Sequence, residues 1–226
     1  MTPSRARKEV TSPKGVALKR PGPPGGVRDT NRLKKSQAIR DAALVLFLER
    51  GIEGVSVDDI MKAAKMAKGS FYRYFADQAA LVADLMADTR KVMVEALEAT
   101  SRDLETARTR DAQVKAYKRI GEVLATLLLE QPGQVRLYLQ ESRAPAVGAR
   151  KPITELAELV TRYSLEMTTK AQQHGILKPI PVAVSALSVI GATERLLLAV
   201  LQGEDIGNVL EVPAALTTLI LDGLKA

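Results

Sequence analysis

Cysteine and tryptophan are absent from this 226-residue chain, and histidine occurs once, as His174. Without cysteine there is no disulfide scaffold, no thiol nucleophile and no thiolate metal site. A single imidazole excludes a His-rich zinc centre and leaves only His174 for general acid–base work. That residue precedes Gly175 at the end of a helical pattern, where a cation meets the helix dipole, and it reads as a helix-end charge. The carboxylates are spread along polar helix faces with no paired or metal-like spacing. No catalytic residue, metal or cofactor is therefore expected, and an enzyme is the least favoured class.

Long apolar runs are scarce as well. Residues 1–30 hold only Val10, Val16, Leu18 and Val27 as large aliphatics, too scattered for the roughly 7–15-residue apolar stretch of a secretory signal. The most apolar stretch, 180–193, has Pro181 near its start and is followed by Glu194 and Arg195. It falls short of the about 18 uninterrupted apolar residues that a membrane span needs. The chain reads as soluble and cytoplasmic, and no partner within a membrane is expected. Alternating strand patterns and internal repeats are missing too, which leaves an all-α fold.

What is present is an uneven charge. The chain has 33 Lys and Arg against 26 Asp and Glu, a formal net charge of +7. Ten of those basic residues and two acidic ones lie within 1–35, so that segment carries +8 and the remainder −1. A near-neutral body behind a basic arm points to a polyanion, either nucleic acid or an anionic membrane surface. Residues 1–30 also include five Pro and four Gly, with the knot Pro21-Gly22-Pro23-Pro24-Gly25-Gly26. Such a segment buries too little apolar surface to offset its ordering entropy, so residues 1–32 read as a disordered basic arm.

From Leu33 the pattern turns helical. Ile39, Ala42, Ala43, Leu46 and Phe47 recur at i, i+3, i+4, i+7 and i+8, one stripe of a helix that Gly51 closes. Ser56-Val57-Asp58-Asp59 resembles a capping box and starts a second helix over 56–64. A short third helix is expected over 68–75. Asp77 then caps one long fourth helix, with Leu81, Leu85, Val92, Ala96 and Leu97 on one side. Further helices are predicted over 114–130, 135–142, 152–174, 182–202 and 213–225, with Pro132-Gly133 stopping the first of these.

Segment 56–75 is thus a helix, a tight turn and a second short helix. Ala63 and Ala64 let two such helices approach closely, as a helix-turn-helix requires. The N-terminal end of its second helix is the part that enters a major groove. Here that end is Lys68-Gly69-Ser70, followed by Tyr72-Arg73-Tyr74. Lys and Arg suit phosphate or guanine, Ser suits a base edge or phosphate, and glycine permits close backbone approach. These residues do not stand alone. Together with Ile39-Arg40-Asp41-Ala42-Ala43, Leu46-Phe47, Ser56-Val57-Asp58-Asp59-Ile60 and Phe71 to Phe75, they make residues 33–91 resemble the DNA-binding domain of the TetR/AcrR family of transcriptional regulators.

The resemblance implies a helix-turn-helix DNA-binding domain over 33–93 and a helical effector-binding and dimerisation domain over 94–226. It implies a sequence-specific regulator of double-stranded DNA, a repressor released by a small effector, and the aromatic-poor, aliphatic composition of the C-terminal half makes that effector mainly lipophilic. Ser56, Lys68, Gly69, Ser70, Tyr72 and Tyr74 match family positions that touch DNA, and Arg73 matches one that reads a base. Phe47, Phe71 and Phe75 match core positions. Three positions depart from the pattern. Lys65 stands where glycine is usual, so it must adopt a left-handed conformation or the turn must differ. Ala67 replaces a Ser/Thr cap, at a cost of about 1 kcal/mol. Gln78 replaces a phosphate-binding Lys. Lys65 and the basic arm are expected to restore the lost charge.

The C-terminal half carries the assembly and effector signals. Segment 182–202 is apolar on nearly all sides, with only Glu194 and Arg195 charged. Such a helix needs cover on more than one side, here the chain's own core and a second copy. The last helix, with Thr217, Leu219, Ile220 and Leu221, has a similar signal. A homodimer through the last two helices is expected, with Leu197 at the interface and a near-palindromic operator; Glu194-Arg195 either pair across that interface, the favoured reading, or line a pocket. Tyr117, Tyr138 and Tyr163 are the only aromatics in this half, so a cavity among 114–174 would be mainly aliphatic. Arg136, Tyr138, Glu141 and Tyr163 are its candidate effector contacts. The alternative is an architectural or nucleoid-type DNA-binding protein on the same fold, which needs no cavity.

Overall fold

The computed structural model describes residues 27–208 and 210–223. The chain divides into two compact units, 1–36 and 37–226. Most of the expected arm lies outside the described residues. Residues 27–32, assigned to that arm, are helical instead. The Pro/Gly knot ends at Gly26, no helix breaker follows before Gly51, and Asp29 lies in the first turn, where the helix dipole favours an acid.

Among the described residues all regular structure is helical. The α-helices are α1 (Val27–Arg50), α2 (Val57–Ala63), α3 (Gln78–Leu85), α4 (Ala87–Thr106), α5 (Arg110–Glu130), α6 (Pro132–Glu141), α7 (Lys151–Gln173), α8 (Val182–Leu201) and α9 (Val212–Gly223). Short 3₁₀ segments span Lys68–Arg73 and Gly148–Arg150.

Three elements differ from expectation. The long fourth helix is two, because Met86 (φ −94°, ψ 0°) ends α3 and begins α4. A one-residue break leaves the spacing from Leu85 to Val92 in helical phase, so periodicity does not reveal it. The third helix is a 3₁₀ helix of six residues. It starts at Ala67 without a side-chain cap, and an uncapped piece this short closes on tighter i→i+3 bonds. Pro132-Gly133 not only stops α5 but opens α6, since proline suits the first helical position.

In unit 37–226, the first core packs Ile39, Phe47, Ile52, Ile60, Met61, Phe71 and Leu81 together. It continues without interruption into Leu137 of α6 and Ile153 and Leu156 of α7. The expected division after residue 93 therefore falls inside α4, and the parts on either side of it share a core. Beyond it, α4 packs on α5 and α7, α7 on α8, and α5 on α9. Gly121 permits the last contact, because a Cβ there would overlap the Pro213 ring.

Helix α8 is long and apolar enough to cross a bilayer by length and composition, with a mean hydropathy of 1.7 over 182–202. Only a small share of it is buried within the single chain. Its outward positions include Val184, Leu187, Ser188 and Arg195, and Leu219 of α9 is exposed as well.

Candidate DNA-binding surface and effector cavity

Local chemistry shapes the helix-turn-helix. Ser56 caps α2 reciprocally: its hydroxyl accepts from the Asp59 amide at 3.2 Å, and Asp59 Oδ2 accepts from the Ser56 amide at 3.0 Å. The Ser56 hydroxyl proton goes to Asp59 Oδ2 at 2.5 Å. These bonds hold the Asp59 carboxyl below its usual range. Lys65 adopts φ 55°, the left-handed alternative. The Lys65 amide donates to the Lys62 carbonyl (3.0 Å) and the Met66 amide to the Met61 carbonyl (2.9 Å), the bond pair of a Schellman turn.

The turn delivers the 3₁₀ helix with Phe71 fully buried beneath it and Phe75 beside it. Lys65, Lys68, Gly69, Tyr72, Arg73 and Ser56 are exposed, while Ser70 and Tyr74 are half-buried. A Cβ built on Gly69 would meet nothing within 4 Å, so the backbone there lies open to an approaching partner. Tyr72 is 65 % exposed and stands edge-on to Phe71, with its phenol turned to solvent. The Arg73 guanidinium lies 5.9 Å from the centre of the Tyr74 ring. Ser70 Oγ donates to the Ala67 carbonyl at 2.6 Å, which leaves the hydroxyl as an acceptor.

Asp58 is the counter-charge on this surface, 2.7 Å from Lys62 Nζ and 3.9 Å from Lys68 Nζ. The hydrogen bond from Lys62 chiefly holds its carboxyl below the usual range. Gln78 has a structural task in place of a phosphate contact. Its amide donates to the carbonyls of Ile52 (3.2 Å) and Val55 (3.0 Å), pinning the loop between α1 and α2.

A second site lies among α4, α5, α7, α8 and α9, which enclose a cavity of about 210 Å³. Its wall is mainly aliphatic and also takes Val135 and Tyr138 from α6. The expectation limited it to 114–174; α4, α8 and α9 were missed because their cavity-facing residues look like ordinary core positions. Burial pushes the Tyr117 phenol in this wall up to about 12. Tyr138 is raised further by burial first and Glu194 second, and its hydroxyl reaches Glu194 Oε1 at 3.4 Å.

Of the four candidate effector contacts, only Tyr138 lines this cavity. Arg136 is exposed outside it. Tyr163, on α7, packs against the cluster of Leu97 and Leu104 of α4, its hydroxyl 3.4 Å from Glu98 Oε1. Glu141 does different work. It is 4 % exposed, accepts from the Ile52 amide at 3.2 Å and from Arg150 Nε at 2.7 Å, and lies against Gly51, which has a φ of 74°. Neighbouring Gln140 donates to the Phe47 carbonyl at 2.9 Å. Glu141 thus fastens the end of α6 to the loop after α1, a role that requires contacts 89 residues apart in sequence.

The structure changes the expectation for Leu197 and decides between the two readings of Glu194. Leu197 faces the cavity and packs against the cluster of Leu127, Leu128 and Val135, so it belongs to the chain's own interior. Glu194 lines the cavity, and Arg143 Nη2 meets it at 2.7 Å. Arg195 points outward and donates to both oxygens of Glu204, at 2.8 and 2.9 Å, in its own chain.

Residues 39–85 match the profile of bacterial regulatory proteins of the tetR family. YdeS of Bacillus subtilis, an uncharacterized HTH-type transcriptional regulator, is 32% identical over 142 residues, which cover 58% of this chain and 71% of YdeS. YuxN of the same organism, also an uncharacterized HTH-type transcriptional regulator, is 26% identical over 133 residues. That match takes in 59% of this chain but only 43% of YuxN, less than half of its length. Among solved structures, the transcriptional regulator FadR of Bacillus subtilis in complex with stearoyl-CoA matches with a TM-score of 0.62 at 19% identity. The match covers 83% of this chain and 98% of FadR, a likeness of fold.

Proposed function

This chain belongs to the tetR family of bacterial regulatory proteins, and on that premise we propose that it is a homodimeric, cytoplasmic repressor. It binds a near-palindromic operator through the 3₁₀ helix and its flanks, and leaves when a small lipophilic effector fills the cavity. Lys68 and Tyr72 hold phosphates, Ser56 and Lys65 flank them, and Arg73 reads a base edge beside Gly69, Ser70 and Tyr74.

One observation carries the effector part. Helix α6 presents Val135 and Tyr138 to the cavity and, within one turn of Tyr138, Gln140 and Glu141 to the end of α1 and the loop that leads from it into the helix-turn-helix. A ligand that displaces Tyr138 therefore moves the element that holds Phe47 and Ile52. An architectural protein has no use for such a cavity. FadR, of the same fold, holds stearoyl-CoA, which makes a lipophilic chain the reasonable first occupant to test. The outward apolar positions Val184, Leu187 and Leu219 supply the surface for a second copy, and a two-fold dimer requires two half-sites.

The test is footprinting of the full chain on the DNA upstream of its own gene, with and without long-chain lipophiles. A protected near-palindrome that loses protection when a lipophile is added supports the reading. Uniform coverage without sequence preference, unchanged by any lipophile, overturns it in favour of the architectural alternative.

A further inference from the structure

The effector cavity has one feature that its aliphatic wall does not explain. Glu194 is the only Asp, Glu, Lys, Arg or His that lines it among the described residues. Three of the lining hydroxyls are engaged with protein partners: Thr193 donates to the Val189 carbonyl and Thr217 to the Pro213 carbonyl, both at 2.8 Å, and Thr89 donates to Gln131 Oε1. Glu194 Oε2 is met by Arg143 at 2.7 Å, but Oε1 has only the long 3.4 Å contact from Tyr138. The pair is also lopsided. The Glu194 side chain is 15 % exposed and that of Arg143 is 73 % exposed. A carboxylate with spare acceptor capacity thus faces an apolar chamber, and its cation reaches it from the solvent side.

We propose that this cavity selects a lipophilic ligand with a hydrogen-bond-donating head, above all a protonated amine, and that this head replaces Arg143 on Glu194. The proposal rests on the effector reading given above and narrows it to a ligand class. Arg143 is already largely hydrated, so releasing it to water costs little. Glu194 is not, and a buried carboxylate stripped of its partner is strongly disfavoured unless the newcomer supplies donors. An ammonium supplies three donors and a charge, and a hydroxyl supplies one donor. An anionic head supplies no donor and sets a like charge beside Glu194. The aliphatic wall holds the chain and the polar group fixes its direction, the usual division of labour in such sites.

Calorimetric titration of the full-length protein with n-decylamine, decanol and decanoate, each below its micelle concentration, tests this without any DNA. The expected order is amine tightest, then alcohol, with decanoate weakest. Glu194→Gln keeps the shape and should weaken the amine by about tenfold or more while leaving decanol nearly unchanged. Arg143→Ala removes the competitor from an exposed position and should tighten the amine by a few-fold. Decanoate binding tighter than decylamine, or Arg143→Ala weakening decanoate while leaving the amine unaffected, overturns the donor-head assignment and leaves the lipophilic effector reading standing. If none of the three chains binds, both fall.

Discussion

In the helix-turn-helix region, Ile39, Phe47, Ile60, Met61, Phe71 and Leu81 are fully buried against one another, whereas Leu124, Leu196 and Leu197 of the C-terminal region are half-buried around an open cavity. Five of the eight aromatic residues lie between 47 and 75, so the small N-terminal region is filled by large, rigid rings. The larger C-terminal region relies on aliphatic chains and leaves space between them. Under the proposed function, a surface that presents Lys68, Tyr72 and Arg73 to DNA benefits from a filled interior, and a chamber that admits a ligand cannot be packed to the density of a core. The two meet at Glu141, where the contrast can be tested most directly.

A large effect is expected from cutting that seam. Glu141→Ala leaves the half-buried Arg150 without its carboxylate partner and the Ile52 amide without its acceptor, and should cost about 2–4 kcal/mol in urea unfolding. A loss below about 1 kcal/mol would show that the two regions stand without it. A matched pair of truncations then separates filled from hollow. Leu81→Ala, in the fully buried core, should cost about 2–5 kcal/mol, and Leu124→Ala, at the cavity wall, less than about 2. Equal losses would mean that the cavity wall is packed as tightly as the N-terminal core.

Smaller effects belong to the surface and the turn. Arg73→Ala should weaken binding to the best operator by roughly 1–3 kcal/mol and relax preference at one base position, without lowering the melting temperature. An unchanged motif after binding-site selection would remove Arg73 from the readers. Lys65→Gly should do the reverse. It relieves a left-handed conformation that costs a lysine about 1 kcal/mol, so the melting temperature rises while operator affinity falls slightly. A melting temperature that falls instead would show that the Lys65 side chain contributes more to the turn than its backbone costs.

The elements that could be read without coordinates are those whose causes lie within a few residues. Gly51, the Ser56–Asp59 box and the uncapped Ala67 each follow from steric and hydrogen-bonding rules over three or four positions, and the same rules narrowed Lys65 to a left-handed residue or a different turn, between which the structure decides. The break at Met86 was hidden because it preserves the helical phase on both sides. The true surroundings of Glu141, Glu194 and Leu197 were hidden for another reason. A charged or apolar residue on a helix has the same spacing whether it faces solvent, a second copy, a seam or a cavity.

By itself, then, the chain's order of residues determined an all-helical architecture, a helix-turn-helix over 56–75 and a surface of Lys68, Tyr72 and Arg73, because caps, turns and periodicity are local properties. Only the tertiary structure decided that Glu141 joins two regions, that Glu194 turns inward and Arg195 outward, and that α4, α5, α7, α8 and α9 leave a chamber between them. Those outcomes depend on where helices distant in sequence come to rest against one another, and a hydrophobic stripe specifies that a helix face is covered without specifying what covers it.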